Sequence, residues 1–141
     1  MPLFHRGGVL VLAALSWGLL AGCGPKDGVA RASVTGTVTL DGTPIPTGVI
    51  LFIPQAGVVG PPVQIVIDKG IYRSDASAGP TIGMNSVQIS AVRKTGKIIT
   101  VEGNKVEETE VYIPKRYNEN SELSSDIKAG ENKFDFALQS K

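Results

Sequence analysis

From residue 33 onward, apolar and polar residues alternate along most of the chain. Apolar residues alternate with threonine over residues 34–40, and residues 86–92 and 134–138 show the same period of two. A period of two predicts β-strands that bury one face. The run at residues 49–53 is apolar throughout, which predicts a strand buried on both faces.

Turn-forming residues separate these segments. Asp-Gly at residues 41–42 and Asp-Lys-Gly at residues 68–70 predict tight turns. Glu-Gly-Asn at residues 102–104 predicts a hairpin between residues 97–101 and 106–113. Each turn therefore starts a new short strand instead of extending the previous one.

The remaining segments complete an all-β pattern. Residues 129–132 have the composition of a hairpin turn between residues 124–128 and 133–138, and residues 74–83 predict a long connection. No segment predicts a helix. We expect an antiparallel, Ig-like β-sandwich of about seven strands, since short strands separated by turn signals are typical of that class.

The N-terminus has the pattern of a processing signal. A short polar start precedes an apolar run over residues 9–20, which is too short to span a bilayer because a spanning helix needs about 20 apolar residues. Its length fits the apolar core of a secretory signal. We therefore expect a signal peptide at residues 1–22, a short linker at residues 23–32 and one domain at residues 33–141.

Cys23 is the only cysteine in the chain, and a lone exported thiol has no disulfide partner. Leu20, Ala21, Gly22 and Cys23 resemble the lipobox of bacterial lipoprotein signals at all four positions. The resemblance implies diacylglyceryl transfer to the Cys23 sulfur, cleavage before Cys23 and usually N-acylation. The alternative is an ordinary signal peptide with a chance cysteine.

A lipid on Cys23 would fix the location of the protein. Two or three acyl chains hold a protein on a membrane, whereas one chain alone anchors only marginally. We expect the mature protein in the cell envelope, on the extracytoplasmic side. Residue 24 is Gly and not Asp, which, by the sorting habits of lipoproteins, favours the outer membrane in a two-membrane bacterium.

Cleavage also narrows the possible chemistry. Removing residues 1–22 leaves 119 residues, and it removes His5, Trp17 and Arg6. The remaining 13 Lys and Arg balance 13 Asp and Glu, so no basic excess is left to bind nucleic acid. Without histidine or a free thiol, Ser-His-Asp and Cys-His catalysis and zinc sites built on His and Cys are excluded. We expect no cofactor.

Two motifs and several shorter segments in the domain match a known family. The motifs are V-T-G-T-V-T-L-D-G-T-P-I-P at residues 34–46 and G-E-N-K-F-D-F-A-L at residues 130–138, and the shorter matches lie at residues 49–54, 68–72, 83–89 (weakly), 113–118 and 121–123. Together they resemble the transthyretin-like sandwich of the carboxypeptidase regulatory-like family, especially its small lipoproteins in planctomycete-type bacteria. The resemblance covers about residues 33–138 and departs at residues 74–83. It implies a seven-stranded antiparallel sandwich and no particular activity.

Glu107, Glu108 and Glu110 form the densest acidic cluster. On a strand, Glu108 and Glu110 share a face and are the candidates for Ca²⁺ ligands, although we expect no metal. The alternative is a solvated edge strand whose charge blocks aggregation. Three aspartates in or near turns are expected to serve local hydrogen bonding instead: Asp41, Asp68 and Asp75.

Tyr112 and Tyr117 are the candidate binding residues. They either cap the end of the sandwich by bonding backbone with their hydroxyls, as tyrosine corners do, or offer a stacking surface to a glycan or peptide. Arg93, Lys94 and Lys97 form a small basic patch on a predicted turn. This patch either contacts anionic headgroups or is simply solvated.

The sequence therefore predicts a membrane-anchored, non-enzymatic module of the cell envelope with a protein partner. Sheet edges commonly recruit such partners by strand addition. One alternative is a binding module for a small ligand, either a glycan or Ca²⁺. A further alternative is a hydrolase that uses paired carboxylates as acid and base, for which the domain is small.

Overall fold

The computed structural model describes residues 27–141. The predicted signal peptide, Cys23 and the start of the linker lie outside the described residues. A one-turn 3₁₀ helix covers Lys115–Tyr117. The strands are β1 (Ser33–Leu40), β2 (Thr43–Pro44), β3 (Thr47–Pro54), β4 (Val63–Asp68), β5 (Ile71–Ser74), β6 (Gly83–Ser90), β7 (Val92–Val101), β8 (Asn104–Val111), β9 (Ser124–Ile127), β10 (Glu131–Lys133) and β11 (Phe136–Leu138).

Nine of these strands form one sheet. Its order is β10-β1-β5-β4-β3-β6-β9, with β2 and β11 also paired to β1. Neighbours are antiparallel, except that β1 pairs in parallel with β10 and β11. The sheet curls around one core, so the predicted all-β, sandwich-like class is confirmed. β7 and β8 form a separate two-stranded hairpin.

The inward side chains of the curled sheet form a single hydrophobic core. In β1, β3, β4 and β6 the buried residues occupy alternate positions, as a strand with one inner face requires. The rings of Phe52 and Tyr72 lie 6.1 Å apart within this core. Its buried apolar members are Ala32, Val34, Val38, Ile45, Ile50, Phe52, Ile65, Ile67, Tyr72, Val87, Ile89, Ala91, Ile113, Ile127 and Leu138.

The prediction that residues 49–53 are buried on both faces is wrong for the outer face. Ile50 and Phe52 are fully buried, whereas Val49, Leu51 and Ile53 are only half-buried. The reason is the curl of the sheet, which encloses its inner face. The outer face is only partly covered, by neighbouring side chains.

The three predicted tight turns are confirmed. Residues 41–42, 69–70 and 102–103 each join two strands, and in each pair both residues have positive φ. Two consecutive positive φ angles are the requirement of a type I′ hairpin turn, which the glycine at the second position satisfies without strain.

The predicted hairpin between residues 124–128 and 133–138 is wrong. β9 pairs with β6, and β10 pairs with β1, so these two strands lie at opposite ends of the sheet. Only residues 128–130 separate them along the chain. The sheet must therefore curl until its two ends meet, and we call the connection from β9 to β10 and its contacts with β1 the seam.

The side chain of Asn132 closes the seam. Its Nδ2 donates hydrogen bonds to the carbonyl oxygens of Lys128 at 2.8 Å and Ser33 at 3.1 Å. Its Oδ1 accepts a hydrogen bond from the Lys128 N–H at 2.9 Å. The amide thus occupies backbone groups that a hairpin would use, which explains why a turn-like sequence makes no hairpin here.

Asn132→Ala is expected to lower the free energy of unfolding by about 1–2 kcal/mol, because it leaves partly buried backbone groups of Lys128 and Ser33 without their hydrogen bonds. The measurement is urea unfolding followed by circular dichroism. Asn120→Ala is the matched control, since Asn120 is exposed, and its effect should stay within about 0.5 kcal/mol. Equal effects of the two substitutions would contradict this role of Asn132.

Between β10 and β11 the chain passes directly over Gly36. A Cβ on residue 36 would lie 1.7 Å from the Phe134 carbonyl oxygen. The Tyr72 hydroxyl donates a hydrogen bond of 2.7 Å to that carbonyl. Next to it, Asp135 Oδ1 accepts a hydrogen bond from the Thr37 N–H at 2.8 Å, and this bond replaces a backbone pairing. The C-terminal strand is therefore split into two short pieces.

Tyr72 should make stability depend on pH above about 10. Burial raises the pKa of its hydroxyl, so the stabilising effect is complete below the unfolded-state pKa of about 10 and is lost as pH rises through the folded-state value. The stability advantage of the wild type over Tyr72→Phe should shrink by about 1.4 kcal/mol between pH 8 and pH 11. Urea unfolding of both proteins at the two pH values measures this, and a constant difference would refute it.

The end of the predicted linker is part of the folded domain. Ala32 N–H donates a hydrogen bond to the Pro80 carbonyl at 3.1 Å, and Ile82 N–H donates one to the Ala30 carbonyl at 2.9 Å. Ala32 is also buried. The chain from the N-terminal side therefore joins the domain beside the start of β6.

Candidate functional site

The β7–β8 hairpin stands apart from the rest of the molecule. Its two strands pair only with each other, and nearly all of their residues are exposed. Arg93 and Lys94 lie on β7 opposite Glu110 and Thr109, so the prediction of a turn at the basic patch is wrong. An irregularity between Lys94 and Ile98 absorbs the turn-like residues within the strand.

Apolar side chains project from this hairpin into solvent. Among the described residues, nine large apolar side chains are exposed, and five of them belong to the hairpin. Exposed apolar residues gathered in one place mark an interaction surface more often than scattered ones do. The five are Val92, Ile98, Val101, Val106 and Val111.

The charges of the hairpin are divided between its strands. β7 carries only basic charges, at Arg93, Lys94 and Lys97, whereas β8 carries the acidic cluster and one lysine. Ion pairs join the two strands, with N–O distances of 2.7 Å for Arg93–Glu110, 2.9 Å for Lys94–Glu107 and 3.6 Å for Lys97–Glu108.

The candidate calcium ligands Glu108 and Glu110 share one face of β8, as alternation along the strand requires. Each of them contacts a basic side chain of β7. Within residues 27–141, no group of three or more His, Cys, Asp or Glu side chains lies close enough to hold a metal ion. The arrangement around these glutamates is that of a charged, exposed strand pair.

The hairpin and the N-terminal segment leave the domain at opposite ends of β6. Residues 30–32 bond to residues 80–82, immediately before β6 begins. β7 starts at Val92, just after β6 ends at Ser90. β6 has eight residues, which span about 25 Å in an extended strand. A tether at the N-terminus therefore attaches at the pole of the domain opposite the hairpin root.

Each of the two candidate tyrosines lies against an arginine side chain. The guanidinium of Arg93 lies over the ring of Tyr112 at 5.4 Å, and that of Arg116 lies over the ring of Tyr117 at 5.0 Å. The Tyr117 hydroxyl also accepts a hydrogen bond from the Gln139 N–H at 3.1 Å, which is the kind of backbone contact that a corner tyrosine makes. Each ring thus has one face covered by an arginine.

A groove along β1, β5 and β10 has a volume of about 660 Å³. Its charged lining residues are Arg73, Asp75, Glu131 and Lys133. The Asp75 carboxylate accepts a hydrogen bond from the Ser77 hydroxyl at 2.6 Å, and this contact helps to hold the pKa of Asp75 below its usual value. The groove therefore carries both signs of charge.

The other two turn aspartates also lie where the sequence indicates. Asp41 is the first residue of the turn after β1, and its Oδ1 accepts a hydrogen bond from the Ser140 N–H at 3.0 Å. That bond joins distant parts of the chain, so it is not the local contact expected. Asp68 is the last residue of β4, beside the turn to β5.

Sequence reasoning singled out the charges of the hairpin and missed its exposed apolar residues. The sequence feature that indicates apolar residues on both faces of β7 is the pair Ile98 and Ile99, which are adjacent and therefore point to opposite faces of the strand. Residues 49–53 show the same pattern in a strand that packs on the core, so the pattern by itself does not distinguish a free hairpin.

Comparison with known proteins adds little. No protein-family model matches the chain, and no curated protein sequence matches it. Among solved structures, one similarity is to a 9R-lipoxygenase from Cyanothece PCC8801, with 12% identity and a TM-score of 0.37. It covers 84% of this chain and 17% of the lipoxygenase. A similarity of this size carries no argument about function.

The described residues also contain no helix that is long and apolar enough to cross a membrane.

Proposed function

We propose that this chain is a lipid-anchored, non-catalytic module of the cell envelope that presents the β7–β8 hairpin to a protein partner. The observation that supports it best is the hairpin itself, which exposes both of its edges and five of its apolar side chains. Unpaired strand edges offer a row of N–H and C=O groups that another chain can complete.

The position of the hairpin supports the same proposal. A lipid on Cys23 would hold the N-terminal pole of the domain at the membrane surface. The hairpin root lies at the other end of β6, about 25 Å away. The hairpin is therefore directed to proteins in the compartment and not to the lipid that holds the anchor.

Site-specific photo-cross-linking of the full chain in its own membranes tests this proposal. A photoreactive residue is placed at Thr100 on β7 or at Thr109 on β8, both of which are exposed. Thr47 on the sheet, also an exposed threonine, is the matched control. We expect protein cross-links from both hairpin positions and none from Thr47. Equal yields at all three positions, or none at any, would refute the hairpin as the interaction element.

A second candidate function is the binding of a small polar ligand in the groove along β1, β5 and β10. Its support is the mixed lining of Arg73, Asp75, Glu131 and Lys133, which offers both donors and acceptors to a glycan and carboxylates to Ca²⁺. Calorimetric titration with Ca²⁺ and with a glycan panel tests it. Heat that disappears in Asp75→Asn would support this function, and a flat response to every ligand would remove it.

A further inference from the structure

The two free edges of the hairpin carry opposite charge. The outer edge of β7 is flanked by Arg93, Lys94 and Lys97 with no acidic residue on that strand, while β8 carries three glutamates against one lysine. Neither edge is paired with any other described strand. Both strands also lack proline, which is one of the usual means of blocking an edge.

These charges disfavour pairing of one edge with the same edge of a second copy, but they do not disfavour pairing of β7 with β8. Pairing β7 with β7 of another copy would set basic rows side by side, and pairing β8 with β8 would do the same for the glutamates. Like charges on neighbouring strands destabilise a sheet, and opposite charges stabilise it. Addition of β8 from one copy to β7 of another is therefore the edge pairing that the charges favour.

We propose that the hairpin binds the hairpin of a second copy of this chain, with β7 of one copy beside β8 of the next. The inference rests on the proposed function, since it names the partner of the same surface. Within one hairpin, Arg93 already faces Glu110, and Ile99 faces Val106. The same register between copies repeats both the charged and the apolar pairs, so each acidic strand lies between two basic ones.

The direction of the strands agrees with this pairing. When β8 of one copy adds antiparallel to β7 of another, the two hairpins point the same way. Their N-terminal poles then lie on the same side, as two copies anchored in one membrane require. Antiparallel pairing of β7 with β7 would point the hairpins in opposite directions and separate the anchors. The pairing is head-to-tail, so it leaves one free edge at each end and extends into a row.

Disulfide trapping in membranes tests the pairing. Val101 on β7 and Asn104 on β8 are opposite each other within the hairpin. One tagged full-length chain carries Val101→Cys, and a differently tagged chain carries Asn104→Cys. In the proposed pairing these residues lie on adjacent strands of two copies, within disulfide reach, whereas identical residues of two copies lie about 9.6 Å apart, beyond that reach.

Oxidation of membranes that hold both chains should give a disulfide between the two tags, and either chain alone should give none. No mixed disulfide, or a stronger disulfide within one variant, would overturn the pairing. If cross-linking from Thr100 and Thr109 still captures another protein, the proposed function stands without it. A disulfide between unsubstituted chains would instead reveal a free Cys23 thiol and contradict the anchor itself.

A charge variant separates this pairing from chance collisions at the membrane. Adding Glu108→Gln and Glu110→Gln to the Asn104→Cys chain should lower the yield of mixed disulfide roughly threefold or more, because two opposite-charge contacts are lost. Glu119→Gln with Glu122→Gln removes the same charge from exposed positions off the hairpin and should leave the yield unchanged. Equal yields from the two double variants would overturn the role of the charges.

Discussion

Gly36→Ala is expected to lower the free energy of unfolding by about 3 kcal/mol or more, or to prevent folding. The added Cβ would lie 1.7 Å from the Phe134 carbonyl oxygen and 2.8 Å from the Tyr72 hydroxyl. The first contact is with backbone, so no side-chain rotation relieves it, and β1 must move away from the C-terminal strands. Overpacking of a tight site usually costs about 1–3 kcal/mol, and displacement of the backbone between β10 and β11 adds to that.

Gly96→Ala is the control for this substitution. Residue 96 has a φ of +79° and no heavy atom within 4 Å of an added Cβ, so alanine there meets only backbone strain of about 1–2 kcal/mol. Urea unfolding of the two variants and the wild type compares the effects. Gly36→Ala should be the more destabilised variant, and a loss no larger than that of Gly96→Ala would show that the crossing at Gly36 is not tightly packed.

What sequence reasoning predicted well is local in the chain. A period of two and a turn dipeptide lie within ten residues of each other, so the hairpin at residues 102–103 and the turns at 41–42 and 69–70 were predictable. What it missed depends on distant contacts. Residues 129–132 resemble a hairpin turn, but β10 pairs with β1, which lies about a hundred residues earlier in the chain. No local pattern shows that competition.

The same distinction holds for the candidate site. The charged residues of the hairpin were visible as a charge pattern, but Lys94 was expected in a turn, so its ion pair with Glu107 was not predictable. The exposure of Val92 and Val111 was not visible, because an apolar strand of a free hairpin has the same composition as one that packs on a core. The two cases differ only in whether another part of the protein packs against the hairpin, and that is a property of the whole fold.

The sequence-based expectation of a lipid anchor leads to the other large effect, in Cys23→Ser. A serine hydroxyl cannot take the thioether-linked diacylglyceryl group, so the variant should carry no lipid and should keep residues 1–22 or be released. Each buried CH₂ contributes about 0.8 kcal/mol to membrane binding, so a variant that lacks both residues 1–22 and the acyl chains should leave the membrane fraction, whereas one that keeps residues 1–22 retains an apolar segment and is recognised by its mass. Fractionation of membranes and a mass measurement of the N-terminus report both consequences.

Gly22→Ala is the matched control for Cys23→Ser, because the lipobox accepts either small residue before the cysteine. It should be processed, lipidated and membrane-bound like the wild type. Cys23→Ser that is still cleaved before residue 23 and still membrane-bound after an alkaline wash would contradict the lipobox. The domain should unfold at the same urea concentration in both variants, since the described core begins only at Ala32. A change confined to location and mass therefore separates loss of the anchor from loss of the fold.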